Sequence, residues 1–279
     1  MYRGSTPARA TLALAAALLV TAGCSRTKTV SIPTAPATGT FTVHFDHQVG
    51  GGPLMLDGAM YMGQDGAGNA YSVTTLRYFV SNVQLRRTDG VLFGVDAYHY
   101  RDAGISGTRS YTLAGVPPGT YGQLLFTFGL DDRWNVSGNE IQNDPDVAGM
   151  EWPADWGGGW HYMILEGKYE PASAFGYATH MGRRFIASPG DPSGQGPDQA
   201  AYPHDFQVRL DFPAPVTIGG DAWQTSVRME LNQWYAGPDV DLSAWFPNGS
   251  GGIMVNLAAQ ATLQQNGPDC FTLTQPAAP

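Results

Sequence analysis

The run Phe41-Thr42-Val43-His44-Phe45-Asp46-His47 alternates strictly, with Phe41, Val43, Phe45 and His47 on one face and Thr42, His44 and Asp46 on the other. Successive side chains of a strand point to opposite faces, so this period of two describes a half-buried β-strand. The same signature returns at His204–Phe212 and at Gln224–Leu231, where Val227, Met229 and Leu231 point inward, while Leu76–Arg87 and Gly122–Leu130 read as further strands. Asp89-Gly90 between two apolar runs marks a hairpin turn, after which Val91–Tyr100 reads as one further strand. Leu54–Met62 reads as a restart of the first strand after the break Gly50-Gly51-Gly52-Pro53. With 36 glycines, 20 prolines and 14% charged residues, the composition fits short strands and many turns. The fold class expected is all-β, an antiparallel β-sandwich with long loops. One or two short helices have candidates at Val240–Phe246 and in Gly252–Leu263, the latter equally readable as a strand.

The N-terminus reads as a targeting segment. Arg3 and Arg9 precede an apolar run from Thr11 to Val20 that is too short for a comfortable membrane span. Small residues follow directly before Cys24, as in a bacterial lipoprotein, although Thr21 stands where leucine is usual. The expected organisation is a signal peptide over 1–23, lipidation at Cys24, a Pro/Thr/Ala-rich tether over 24–39 and a single domain over 40–279. A Cys24–Cys270 disulfide and ordinary signal cleavage are the rivals. The destination is then the periplasm or cell surface, anchored to a membrane by lipid. The formal charge is −9, and loss of Arg3 and Arg9 with the leader lowers it by two to −11. That excludes nucleic acid as a natural partner.

Chemistry concentrates in Gly149-Met150-Glu151-Trp152-Pro153 and Gly157-Gly158-Gly159-Trp160-His161-Tyr162-Met163-Ile164-Leu165-Glu166-Gly167. Read as a regular strand, it places His161 and Met163 on one face. Imidazole suits copper and thioether sulfur suits copper(I), although methionine in a strand is also ordinary core filler. Six histidines stand at 44, 47, 99, 161, 180 and 204. There is no HExxH, CxxC or GxSxG in a strand-to-helix context. Glycosidase chemistry needs two facing carboxylates, for which Glu151 with Glu166 or Asp155 could be invoked. The polar loop Asp131–Glu140 offers oxygen ligands for calcium as a structural ion, interrupted by Arg133 and Trp134.

Together, Leu76-Arg77-Tyr78-Phe79-Val80-Ser81-Asn82, Pro118-Gly119-Thr120-Tyr121, Phe126-Thr127-Phe128-Gly129-Leu130-Asp131 and the two segments just quoted resemble, in order and spacing, the MbnP-like family of bacterial copper-binding proteins. The resemblance covers nearly all of residues 40–272. It implies a periplasmic or surface-located sandwich that binds copper without being an enzyme, its cofactor held by histidines. In some members a partner di-haem MauG-like peroxidase oxidises a tryptophan to kynurenine, which joins the site. Carried over by position, the metal ligands would be His161 and His180, then His47 and His99, with Met163 a lesser candidate. No Trp-x-His triplet is present, so Trp152, Trp156 and Trp160 are all candidates for oxidation. Neutral imidazole ligands imply binding that weakens below the usual histidine pKa. The alternative is an adhesion-type or carbohydrate-binding sandwich that uses exposed aromatics and no metal.

Overall fold

Alternation along the first strand is what the structure shows: β1 (Gly39–Val49) buries every second side chain, with Phe41, Val43 and Phe45 almost fully enclosed. The structure is a computed structural model that describes residues 37–58, 60–61, 65–169, 175–186, 200–202, 204–250 and 252–279. The expectations for the leader, Cys24 and most of the tether lie outside those residues. Beyond β1, the strands are β2 (Gly52–Pro53), β3 (Thr75–Arg87), β4 (Leu92–Gly94), β5 (Tyr98–Asp102), β6 (Ser110–Val116), β7 (Gly119–Phe128), β8 (His161–Tyr169) and β9 (Phe175–Gly182). They continue as β10 (Arg184–Ile186), β11 (Ala200–Tyr202), β12 (Phe206–Ile218), β13 (Ala222–Glu230) and β14 (Phe271–Leu273).

Two sheets face each other. One has the order β14-β13-β1-β2, with β6 also on β1; the other has the order β12-β7-β3-β8-β9, with β4 and β5 also on β3. The aromatic interior joins them: Phe45 meets Phe126 edge-on at 5.7 Å and Phe41 stacks on Phe212 at 5.8 Å. Offset and edge-to-face ring pairs of this kind add to the free energy of area burial. Residues Pro36–Pro279 form one compact unit.

The architecture departs from the sequence reading in three places. β1 and β13 run parallel, from Thr40↔Ala222 to Gln48↔Glu230, within sheets that are otherwise antiparallel. Val91–Tyr100 is two strands, β4 and β5, and both pair with β3. Leu54–Met62 is not a strand in its described part, where Leu56 and Tyr61 make only isolated bridges. The helices are α1 (Leu242–Trp245), capped by the Asp241 carboxylate, and α2 (Leu257–Asn266), capped by Asn256. Both caps satisfy amide donors that a first helical turn leaves open.

Candidate metal centre

The site is assembled on the outer face of the larger sheet, where β8 and β9 meet. Met150 to Trp152 runs back along the start of β8: Trp152 N–H donates to the Gly159 carbonyl at 2.9 Å and His161 N–H to the Met150 carbonyl at 2.7 Å. The turn between them contains Gly157, Gly158 and Gly159 at φ of 109°, 64° and 85°. These are left-handed values that side chains with a Cβ resist. At Gly159 a Cβ would also lie 2.2 Å from Asn135 Oδ1. Asn135, fully buried, fixes this corner by accepting from Trp160 N–H at 2.7 Å and donating to the Tyr162 hydroxyl at 3.1 Å.

Pairing of β8 with β9 shifts register between His161↔Gly182 and Met163↔Met181. Tyr162 is the extra residue of a β-bulge. The bulge corrects the expectation that His161 and Met163 share a face. Met163 and Met181 are fully buried in the core, and Met163 lies opposite Tyr78 of β3. His161 is turned to the other face, which it shares with His180 and Glu166.

There the two imidazoles lie with ring centroids 5.0 Å apart and planes at 88°. His161 Nδ1 lies 3.1 Å from the Met150 carbonyl oxygen. A carbonyl can only accept, so Nδ1 carries the proton and Nε2 presents a lone pair. Nε2 is buried and has no hydrogen-bond partner. His180 Nε2 is 2.7 Å from Glu166 Oε1. The carboxylate therefore places the neutral ring's proton on Nε2 and leaves Nδ1 as its lone-pair nitrogen. Burial first, then the neighbouring His180 and Arg77, push the pKa of His161 down to about 4, against its backbone hydrogen bonds. The hydrogen bond from His180 holds the Glu166 carboxyl below its usual range, against partial burial.

Trp152 closes the site. Its ring meets the His161 ring edge-on at 4.8 Å and Trp156 at 6.3 Å, and its own Nε1 is buried without a partner. Trp160 is occupied elsewhere, donating through Nε1 to the Val136 carbonyl at 3.2 Å. Support comes from residues the sequence did not single out. Gln260 on α2, fully buried, donates to the His180 carbonyl at 2.7 Å and accepts from Gly182 N–H at 3.3 Å, fixing the end of β9. Arg77 holds the approach to Met150 through the Ala148 carbonyl at 2.9 Å. Glu166 was legible only as a carboxylate that could pair with Glu151, because its link to His180 depends on the β8–β9 register.

The remaining histidines are not brought to this face. His47 is enclosed between the sheets with Nε2 3.0 Å from the Tyr78 hydroxyl. His99 lies against the Tyr111 ring, centroids 3.6 Å apart. His44 contacts Ser110 and Gln224, and His204 contacts Gln264. In the loop considered for calcium, Asp131 Oδ1 accepts from Arg133 and Trp134 N–H while its other oxygen accepts from Asn82. Those oxygens serve as turn and loop caps. Glu151 is exposed, and Glu166 is committed to His180. Among the described residues no group of three or more His, Cys, Asp or Glu side chains is arranged around one metal position. Two imidazoles and an adjoining indole are what the face provides.

Comparison with known proteins completes the picture. A solved structure of MbnP from Methylosinus trichosporium is similar at 17% identity, covering 73% of this chain and 79% of that one, with a TM-score of 0.47. No curated protein matches the sequence. The family profile for MbnP matches residues 38–254, which takes in β1 to β13, both imidazoles and Trp152. The chain belongs to the MbnP family.

Proposed function

We propose that the protein binds copper outside the cytoplasm through His161 and His180, with Trp152 as the neighbour that tunes the site, and that it acts in metal acquisition, storage or handling without catalysing a reaction. The observation that carries this reading is His161 Nε2, a buried lone-pair nitrogen with no partner beside a second imidazole. Leaving such an atom unsatisfied costs about 1–3 kcal/mol, and a metal ion would satisfy it. On both rings the second nitrogen is tied to an acceptor, Met150 O or Glu166, the arrangement that orients ligating histidines and raises their basicity. Imidazole alone suits several transition ions, and the family resemblance favours copper. Because His161 stays neutral to about pH 4, its part in binding extends below the pH at which a free histidine would lose it.

Of the three tryptophans, Trp152 is the one in contact with a candidate ligand. It is the residue we assign to oxidation by a partner di-haem MauG-like peroxidase. The adhesion reading finds less support, since all seven tryptophans are buried or half-buried and none forms an exposed platform. The lipid anchor at Cys24 belongs to this proposal as well.

Metal analysis and intact mass on native protein test the reading together. Expected are stoichiometric copper, a lipid on Cys24 and an altered Trp152 peptide. Copper content unchanged by His161→Ala and His180→Ala would sink it.

A further inference from the structure

The edge of β1 carries a gap. Pairing with β6 ends at His44↔Ser110 and pairing with β2 begins at Gln48↔Pro53, leaving residues 45–47 spanned only by backbone bonds to Arg109 and Leu54. A cavity of about 280 Å³ opens there, between Asp46, His47, Arg109 and Arg228 on its polar side and Leu54 and Leu56 on its apolar side. Arg101 stands close enough to His47 for its charge to oppose protonation of that ring.

The region holds three cations, Arg101, Arg109 and Arg228, against one carboxylate on the cavity wall, Asp46, whose register partner is Arg228. Arg101 is 3% exposed, and its partners are the Tyr100 and Thr108 carbonyls at 2.9 and 2.7 Å and the face of Phe45 at 4.8 Å. Its Nε and Nη2 are buried without hydrogen bonds, as is Arg109 Nε, whose Nη2 donates to the Ala103 carbonyl. Among the described residues none of Arg101, Arg109 and Arg228 has a carboxylate within ion-pair distance. Asp102, the nearest in sequence, is turned to the Tyr100 hydroxyl and the Gly104 amide. A guanidinium taken out of water without a counter-charge is costly, and buried charges are normally paired. With Asp46 counted, the cavity wall still carries two guanidinium groups, Arg109 and Arg228, against one carboxylate, a net positive charge in a domain with an overall excess of acids and the makings of an anion site.

The geometry points to a binding site for a small organic carboxylate, its head group on Arg109 and Arg228 and its short apolar body against Leu54 and Leu56. Guanidinium matches a carboxylate in a fork geometry. The apolar wall gives a carboxylate with a hydrocarbon body contacts that inorganic phosphate cannot make. This site is separate from the metal centre and does not depend on it.

Titration of the folded protein with hexanoate at constant ionic strength, followed by ligand-observed NMR, tests the assignment. Expected is saturable binding, with hexanamide and the Arg228→Gln variant each weaker by about 10-fold or more, the effect of losing one charge-assisted contact. Leu54→Trp, which fills the cavity and leaves every charge in place, should abolish binding. Arg109→Gln should weaken it similarly, and the exposed Arg228 supplies the variant that keeps the fold. No saturation, equal binding of hexanamide, binding of inorganic phosphate in place of hexanoate, or parental affinity in both Arg228→Gln and Leu54→Trp would each overturn the proposal.

Discussion

Gly182 makes the room that the indole of Trp152 occupies: a Cβ on residue 182 would lie 2.5 Å from Trp152 Cε3. Because Gly182 pairs with His161 across β8 and β9, that contact also sets where the ring meets the imidazole. Gly182→Ala should push Trp152 off His161 and cost about 1–3 kcal/mol of stability through overpacking. Thermal unfolding and a changed tryptophan emission would report it. A variant as stable as the parent, with unchanged emission, would show that the indole has slack.

In the proposed copper site, Glu166 would act on the metal through His180, which it contacts at 2.7 Å. Glu166→Gln keeps the shape and an acceptor oxygen but removes the charge that favours a proton on Nε2. The expected result is a loss of metal affinity of about 10–100-fold, read by competition against a chelator, with His161→Ala losing more. Since the side chain is 38% exposed, the change should leave the unfolding midpoint nearly where it was.

How much of this was visible in the sequence depends on how local its cause is. The strand at Phe41–His47 was legible because burial on one face writes itself as alternation. The short helices were legible as candidate runs at Val240–Phe246 and in Gly252–Leu263, but their caps, Asp241 and Asn256, lay inside those runs. The bulge at Tyr162 was not, because it exists only against β9, and it reverses the face of His161. The parallel pairing of β1 with β13 is likewise a product of the tertiary fold. So is the division of Val91–Tyr100, where a Cβ on Gly94 would lie 2.6 Å from the Val83 carbonyl oxygen of β3. His161 and His180 were therefore readable as residues but not as neighbours, and Glu166 and Gln260 not as their supports.

Acid should weaken the fold in a defined window. Burial pushes the pKa of His47 and His99 down to about 3 and that of His161 down to about 4, aided by Arg109 and Arg101 at His47, Arg101 at His99 and His180 at His161. In the unfolded chain these groups return to about 6.5. Below that value the unfolded state takes up protons that the folded state refuses. Stability is then full above pH 6.5 and falls as pH drops, at up to about 1.4 kcal/mol per pH unit for each histidine. The decline ends for each group as pH passes its folded value. Denaturant midpoints of metal-free protein between pH 7 and 4 should follow this slope, and His47→Gln should make it shallower. An unchanged slope would remove His47 from the account.

Asn135 anchors the corner from which β8 starts. Its side chain accepts from the Trp160 amide and donates to the Tyr162 hydroxyl, and its carbonyl accepts from Arg183 at 2.8 Å. Asn135→Ala removes both side-chain bonds and leaves the Trp160 amide, in a fully enclosed position, without its acceptor. The penalty for an orphaned buried donor is about 1–3 kcal/mol, to which the lost volume adds. Asn135→Asp keeps an acceptor for Trp160 but exchanges the donor to Tyr162 for a buried charge, so it should be no milder. Urea unfolding of the three proteins orders them, with the parent most stable. Because the bulge at Tyr162 is held from this side, both variants should also lower metal affinity while His180 and Glu166 remain intact. Parental metal binding in a destabilised Asn135→Ala would mean that pairing with β9 alone orients His161.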